Sequence, residues 1–226
     1  MKIIFASAFA ACLGTTAMAS GPYVPMDPVV QAPPPALYDW TGAYVGLFMG
    51  AVSGNNFWAE TGANGAATPG AFNGTPIGLT LGYDWQSGAM VYGAALDYTG
   101  SSITATSTSS LNFNCATGCM TNVNNSYALR GRIGYAVDDT LFYATAGFAA
   151  GSATATVTGL GTLGAANLTG WTAGIGFEHA LSQHLSITME YLYSDLGRLQ
   201  IPTLCGTNCY TDVNYGTLRL GANYRF

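Results

Sequence analysis

The chain has 226 residues, of which only 8 % are charged, and its formal net charge is −5. An ordinary soluble domain has about 25 % charged residues, so this chain has too few to cover a water-exposed surface in the usual way. Six Lys and Arg residues stand against eleven Asp and Glu residues. Nucleic acid is therefore excluded as an expected partner, because phosphate binding needs clustered basic residues.

The N-terminus has the three parts of a secretory signal over residues 1–19. Lys2 supplies a positive charge, residues 3–13 are apolar, and residues 17–19 read Ala-Met-Ala, which is a small-residue cleavage site. Residues 20–39 contain six of the nine prolines and predict a stiff periplasmic linker. Residues 40–226 form the remaining domain. After signal removal, residues 20–226 contain five arginines, eleven carboxylates and four cysteines.

A two-residue rhythm of apolar and small or polar side chains runs through the rest of the chain. Residues 77–85 show it best, and a period of two predicts a β-strand because successive side chains point to opposite faces. Most of the segments reach the ~9–11 residues with which a tilted strand crosses a bilayer. They lie at about residues 41–53, 75–86, 90–101, 126–137, 140–153, 170–181, 184–195 and 212–226.

The connections between these segments alternate in length. Short turns are predicted at 86–89, 137–140 and 181–184, and long loops at 54–74, 102–125, 154–169 and 196–211. Within the loops, residues 104–110 and 153–158 are rich in Ser, Thr and Ala, a composition that allows extension as strands above a membrane. The alternation predicts an all-β fold, an eight-stranded antiparallel up-and-down transmembrane β-barrel with both termini at the periplasmic side.

One face of each predicted strand is apolar and is expected to meet lipid. Aromatic residues sort to the two ends of the strands, as the two lipid–water boundaries favour. In the first strand, Tyr44 and Phe48 are expected inside. The lipid-facing candidates are Val45, Leu47, Met49, Leu79, Leu81, Leu96, Leu129, Ile133, Ile175, Ile187, Met189, Leu218 and Leu220, with a periplasmic belt of Trp85, Tyr92, Tyr135, Phe142, Phe177, Tyr224 and Phe226 and an outer belt of Tyr98, Tyr127, Phe148, Trp171 and Tyr193.

The opposite face carries four acids and four arginines and is expected to line the lumen. Facing an arginine toward lipid at mid-membrane costs about 2–4 kcal/mol, so the opposite register is excluded. We expect Asp97 near Arg130 and Arg132, and Glu190 near Arg219. An ion-paired plug and the selectivity filter of a narrow pore would use the same residues. The set is Asp84, Asp97, Arg130, Arg132, Glu178, Glu190, Arg219 and Arg225.

Four motifs in order resemble the small outer-membrane β-barrel proteins of alphaproteobacteria, the porin-like surface antigens related to the OmpA membrane domain. They are residues 40–46 (WTGAYVG), 129–136 (LRGRIGYA), 190–197 (EYLYSDLG) and 223–226 (NYRF). The resemblance implies an eight-stranded barrel of the Gram-negative outer membrane and a C-terminal Phe226 read by the outer-membrane assembly machinery. Its members are linked to envelope integrity, host contact, small-solute passage or haem binding, without one shared activity.

The four cysteines left after signal removal form two C-x3-C pairs in the predicted outer loops. They are Cys115 with Cys119, and Cys205 with Cys209. An exported protein with an even number of cysteines is expected to form disulfides. Local bridges within each pair, bridges between the two loops, and a four-thiolate zinc site are all compatible with the spacing.

The remaining residues indicate no enzyme, no cofactor and no metal site. His179 and His184 flank the third short turn, and the outer loops contain no histidine to activate a nucleophile. Glu60 is the single charge of the first loop, so the loops suit hydrogen-bonding or apolar contacts. We therefore expect a structural and surface-interaction role in the cell envelope, with a narrow porin-like channel as the alternative. The expected partners are outer-membrane lipid, the assembly machinery and an extracellular or host ligand at the loops.

Overall fold

The computed structural model describes residues 38–60, 67–100, 103–107, 118–205 and 208–226. The predicted signal, most of the predicted linker and Cys115 lie outside these residues. In the described part of the chain no helix is long and apolar enough to cross a membrane. The elements are β1 (Gly42–Glu60), β2 (Ala67–Asn73), β3 (Ile77–Ser87), β4 (Met90–Thr99), β5 (Ile103–Ser107), β6 (Cys119–Val137), β7 (Thr140–Val157), β8 (Gly161–Ala180), β9 (Leu185–Gln200), the short helix α1 (Pro202–Cys205) and β10 (Cys209–Arg225).

Eight of these strands form a closed antiparallel ring in the order β10-β9-β8-β7-β6-β4-β3-β1. The ring closes because β1 pairs with β10, from Tyr44 opposite Arg225 to Ser53 opposite Gly216. Closure removes the exposed edges that an open sheet would present. The predicted eight-stranded antiparallel fold is confirmed.

Three short turns join strands at one end of the ring, which we call the turn end. They lie at 88–89, 138–139 and 181–184, close to the predicted positions. Gly88 has a φ of 62° and Asp138 a φ of 50°. A two-residue hairpin turn favours such positive φ values, because they match the twist of the flanking strands. Tyr38, the first described residue, and the C-terminal Phe226 both lie at this end of the barrel.

The opposite end, which we call the extended end, differs from the sequence prediction. Residues predicted as long loops are mostly strand: β1 continues to Glu60, and β7 and β8 are joined by a three-residue turn at 158–160. β2 pairs with β1 and with β5, and β5 pairs with β6, so these two short strands complete the wall beyond β3 and β4. The composition of residues 104–110 and 153–158 predicts extension as strands, and residues 104–107 and 153–157 lie in β5 and β7. The other extensions were not predicted, because their outward residues are mainly polar rather than apolar.

The outward surface near the turn end is apolar, as predicted. Leu47 is 63 % exposed, whereas Tyr44 is 3 % exposed and faces the lumen together with Phe48. The residues predicted to face lipid are exposed, except that Val45 is half-buried, and the aromatic residues of both belts are exposed, except that Tyr193 is half-buried. A surface of this kind is stable against hydrocarbon and unstable against water.

The polarity of the barrel reverses toward the extended end. There the interior is a packed apolar cluster that includes Trp58, Phe72, Leu199 and Val213, each with at most 1 % of its surface exposed. The outward positions become polar, as at Asn167 on β8. Near the turn end the barrel is apolar outside and polar inside, and at the extended end it is polar outside and apolar inside. This reversal marks the boundary between lipid and water.

Candidate functional site

The eight predicted lumen charges are all buried inside the ring. They come together because the strand pairing stacks their positions: Arg132 lies opposite Gly93, and Gly93 lies opposite Asp84. A Cβ atom on Gly93 would collide with the Asp84 carboxylate and press on the Arg132 side chain. The glycine thus leaves the space in which a carboxylate and a guanidinium two strands apart meet.

Four of the charges form a closed cycle nearer the extended end, which we call the upper charge ring. Arg130 contacts both Asp97 and Glu190 at 2.8 Å. Arg219 contacts the same two carboxylates, Asp97 at 2.9 Å and Glu190 at 4.0 Å. Acid and base alternate around the cycle, so every charge has two opposite neighbours and the net charge is zero.

The other four charges form a second cycle nearer the turn end, the lower charge ring. Arg132 grips Asp84 with two parallel hydrogen bonds, one of them 2.7 Å from Nε to Oδ1, and contacts Glu178 at 2.9 Å. Arg225 contacts Asp84 at 2.9 Å and Glu178 at 3.6 Å. The paired geometry is the strongest form of an arginine–carboxylate contact.

Neutral side chains satisfy the remaining hydrogen-bonding capacity of the carboxylates. Ser186 Oγ and Asn223 Nδ2 donate to Glu178 Oε1 at 2.6 and 3.0 Å. The Tyr143 hydroxyl donates to Glu190 Oε2 at 3.1 Å, and Thr80 donates to Asp97. Burial of a charge is costly unless it is paired and hydrogen-bonded, and these contacts meet that condition.

Aromatic rings lie against the guanidinium groups. The ring of Tyr44 lies 5.0 Å from the Arg132 guanidinium and 5.1 Å from that of Arg225. The ring of Tyr143 also lies 5.0 Å from the Arg132 guanidinium, and the ring of Phe48 lies 4.3 Å from that of Arg219. A guanidinium over a ring face is attracted by the ring quadrupole, so these interior aromatics fill space and stabilise the cations together.

Two of the expected contacts differ in the structure. Arg132 does not meet Asp97, because it sits one level closer to the turn end and binds Asp84 and Glu178 instead. Glu190 does lie opposite Arg219 in the ladder, but its shorter contact is with Arg130 on a strand that is not adjacent. Alternation along a strand carries no signal for a contact that crosses the lumen.

A small cavity lies between the two rings. Its volume is about 40 Å³, and its lining includes Arg130, Arg132, Glu190 and Arg219. One enclosed water needs roughly 10–15 Å³ of this kind of space. The cavity has room for a few water molecules and none for an organic solute.

Two further layers close the lumen above and below the charges. The apolar cluster of the extended end fills the interior above the upper charge ring. At the turn end, Tyr38 and Trp40 pack with Val91, Leu141 and Tyr143. Tyr38 falls within the predicted linker of residues 20–39, yet it is 4 % exposed, since its ring packs against Trp40 at 4.6 Å between centroids.

The cysteines, histidines and C-terminus lie away from the charge rings. Cys119 and Cys209 are fully buried at the extended end and are each disulfide-bonded; Cys115 is outside the described residues, and the pairing of the four cysteines stays a prediction. His179 Nδ1 is 2.9 Å from Thr140 Oγ1, and the ring of His184 stacks on Tyr224. Among the described residues, no three His, Cys, Asp or Glu side chains form a group that could hold a metal ion.

The C-terminal Phe226 is exposed and lies at the outer surface of the turn end. Its ring meets that of Tyr224 edge-on at 5.3 Å, and its backbone nitrogen donates to the carbonyl oxygen of Ala43 at 3.0 Å. The last residue is thereby fixed to β1 while its side chain stays accessible from the membrane side.

Comparison with known proteins gives consistent matches over most of the chain. The model of the outer membrane protein beta-barrel domain matches residues 28–226. The chain is 30 % identical to the 31 kDa outer-membrane immunogenic protein of Brucella melitensis biotype 1, with all of both chains covered. It is 32 % identical to the 25 kDa outer-membrane immunogenic protein of Brucella abortus biovar 1, with 98 % of this chain and 92 % of that protein covered.

Among solved structures, the chain is similar to the solution structure of outer membrane protein W of E. coli. The TM-score is 0.44 and the sequence identity 18 %, with 82 % of this chain and 98 % of that chain covered.

Proposed function

The chain belongs to the family of outer membrane protein β-barrel domains, and we propose that it acts in the outer membrane as a sealed structural barrel that presents a polar, largely uncharged surface outside the cell. The observation that carries this proposal is the pair of closed charge rings. Each ring is neutral, each charge in it has two opposite partners, and all eight residues are at most 9 % exposed. A permeating ion would have to break these ion pairs.

The packed layers on either side of the rings support the same role. The apolar cluster above the upper charge ring offers a permeating ion no polar ligand, and burial of an unpaired charge there would be costly. The cavity between the rings is only about 40 Å³, and four of the ring charges line it. A sealed lumen leaves the outer surfaces of the barrel as the parts that contact other molecules.

The extended end supplies the proposed surface. Its outward side chains are mainly Ser, Thr and Asn, and its strands project beyond the outer aromatic belt. Two relatives are named as immunogenic outer-membrane proteins, which fits an exposed surface of this kind. We propose outer-membrane lipid as the partner of the apolar belt, the assembly machinery as the partner of Phe226, and an extracellular or host ligand at the extended end.

The proposed role is not enzymatic. The described contact between a hydroxyl and a histidine, Thr140 with His179, joins neighbouring strands at the turn end. A hydroxyl nucleophile needs a base that is itself oriented by a third group, and the interior acids are all engaged with arginines. The side chains that could do acid–base chemistry therefore stabilise the fold instead.

Conductance of the purified protein in a planar bilayer tests the sealed lumen. We expect no steady current from the unaltered chain, since the two rings and the apolar layer close the path. Arg130→Ala should also remain silent, because the apolar layer above it is unchanged. Arg198→Ala, which alters an exposed ion pair with Asp212 outside the lumen, is the matched control.

A steady conductance from the unaltered chain would contradict the proposal. If that conductance also changed in Arg130→Ala and not in Arg198→Ala, the upper charge ring would be the selectivity filter of a narrow channel. That outcome would favour the alternative function.

A further inference from the structure

The barrel wall has an interruption at the seam where its first and last strands meet. β1 and β10 pair from Tyr44 to Ser53 and again from Trp58 to Glu60. Between these stretches, residues 54–57 of β1 and 212–215 of β10 have no ladder partner across the seam. On the inner side, Asn56 partly replaces the missing pairing, because its Nδ2 donates to Thr211 Oγ1 at 2.7 Å and to the Asp212 carbonyl at 3.0 Å.

The side-chain oxygen of Asn56 is a buried hydrogen-bond acceptor without a partner in the described part of this seam. The residue is fully buried, and its Oδ1 has no hydrogen-bond partner among the described residues. An unpaired buried acceptor costs free energy. Asn56 therefore marks a place where hydrogen bonding between β1 and β10 is incomplete. No other gap in the β1–β10 ladder occurs within the paired range Tyr44–Glu60.

A groove of about 480 Å³ lies on the outer surface of this seam. Gly216 forms its floor, flanked on the neighbouring strands by Ser53 and Tyr193. A Cβ atom at Gly216 would collide with the Tyr191 hydroxyl. The absence of a side chain at Gly216 therefore makes room for the Tyr191 ring. The groove exists because two tyrosines border a position without a side chain.

The groove is lined by two amides and one carboxylate, whose charge is balanced by an arginine beside the groove. Asn55 and Asn214 present amides, which both donate and accept hydrogen bonds. The one carboxylate of the lining, Asp212, binds Arg198 Nε at 3.0 Å through Oδ1. An anionic head group would meet this carboxylate and gain little from an arginine that is already paired.

The groove straddles the boundary between lipid and water. Tyr191 belongs to the apolar outward face, beside Leu218. The ring centroid of Tyr193 lies 5.5 Å from that of Trp171, a residue of the outer aromatic belt. Phe57, Asn55 and Asp212 lie on the far side of that belt, toward the polar extension. A ligand that fills this groove would have an apolar part against Tyr191 and a polar part against the amides.

We propose that the seam groove binds the neutral sugar head group of a lipid in the outer leaflet. A sugar ring has an apolar C–H face that packs on aromatic rings and a rim of hydroxyls that matches amides and a carboxylate. The acyl chains of such a lipid continue down the apolar face beside Tyr191. The inference goes beyond the sealed structural role, and it rests on the membrane placement of the barrel but not on whether the lumen conducts.

Lipid binding to the full mature chain in detergent micelles tests the proposal. We would titrate a monoglucosyl diacylglycerol and count bound lipid by native mass spectrometry. We expect one saturable site per chain, with phosphatidylglycerol and phosphatidylcholine of the same acyl chains bound more weakly. Asn214→Leu should weaken binding of the glucosyl lipid by about three- to tenfold, as expected for one hydrogen bond.

Asn167→Leu is the matched control, because Asn167 is an exposed outward asparagine on β8. This strand lies two places from β10 in the ring, and Asn167 does not line the groove. If Asn214→Leu fails to fold, Asn55→Leu on β1 takes its place. Equal loss in Asn167→Leu, equal or tighter binding of phosphatidylglycerol, or no saturable site would overturn the proposal. If free methyl glucoside bound as tightly as the glucosyl lipid, the claim that the bound sugar belongs to a lipid would be wrong. None of these outcomes depends on conductance, so failure here is distinct from failure of the sealed lumen.

Discussion

Arg130 and Glu190 are 60 residues apart in the chain and lie on β6 and β9, which are not neighbouring strands, yet their side chains meet across the lumen at 2.8 Å. Such a contact forms only when the sheet closes on itself. Each charge ring therefore joins strands from both halves of the chain. Ring formation and barrel closure must occur together, and we expect the ion pairs to contribute to the cooperativity of folding.

Removal of one arginine should destabilise the barrel strongly. Arg130→Met keeps most of the side-chain volume but leaves the buried Asp97 and Glu190 with one guanidinium between them. Breaking a buried ion pair typically costs about 3–5 kcal/mol. Urea unfolding in lipid vesicles, followed by the gel mobility of unheated samples, measures the change. Arg198→Met, which removes an exposed pair, should cost about 1 kcal/mol or less; equal effects would show that the ring contributes no more than a surface pair.

Truncation of the apolar interior of the extended end should be as costly as truncation of a soluble core. Trp58 is 1 % exposed and donates from Nε1 to Thr121 Oγ1 at 3.1 Å. Trp58→Ala should cost about 3–5 kcal/mol in the same unfolding assay. The adjacent Phe57 faces outward and is 46 % exposed, so Phe57→Ala should cost much less. Similar losses in both variants would mean that the extended end is not a packed core.

The strands and their faces could be predicted from sequence because both are local properties. A period of two fixes which side chains share a face, and the cost of lipid-facing arginines fixes which face is inside. Leu129 and Arg130 are adjacent residues on opposite faces, and the alternation alone assigns them correctly. The eight-stranded ring followed from the count of such segments and the spacing of the turns.

The partners of each charge could not be predicted because they depend on how the strands are staggered around the ring. The alternation predicts Arg132 near Asp97 on the next strand, but the register places Arg132 opposite Gly93, four residues from Asp97, and beside Asp84. Most of the strand extensions could not be predicted for a different reason. Above the membrane the apolar residues turn inward, so an outward polar residue such as Asn55 on β1 resembles a loop residue when lipid exposure is the expected signal. The alternation of Thr with Ala at residues 104–106 is an exception, because its composition allows a strand.

The reversal of polarity predicts where an added charge is tolerated. Leu129 faces lipid and is 58 % exposed, whereas Thr106 is an outward residue of β5 in the extended end. Leu129→Arg should cost about 2–4 kcal/mol, as for a lipid-facing arginine at mid-membrane. Thr106→Arg should change the free energy of unfolding by about 0.5 kcal/mol or less, as for a surface substitution in water. If Thr106→Arg lowered the free energy of unfolding in lipid vesicles as much as Leu129→Arg, the hydrocarbon layer would extend over β5. The boundary inferred from the reversal of polarity would then be wrong.

The orientation of the barrel can be tested with one introduced cysteine at each end. Asn167 is exposed on the extended end, and Asp139 is exposed in the turn between β6 and β7. In intact cells, a membrane-impermeant maleimide should label Asn167→Cys and should label Asp139→Cys only after the outer membrane is permeabilised, because short turns face the periplasm in this architecture. The unsubstituted chain is the baseline, since its Cys119 and Cys209 are disulfide-bonded and buried. Labelling of Asp139→Cys alone in intact cells would reverse the orientation and place the seam groove in the inner leaflet.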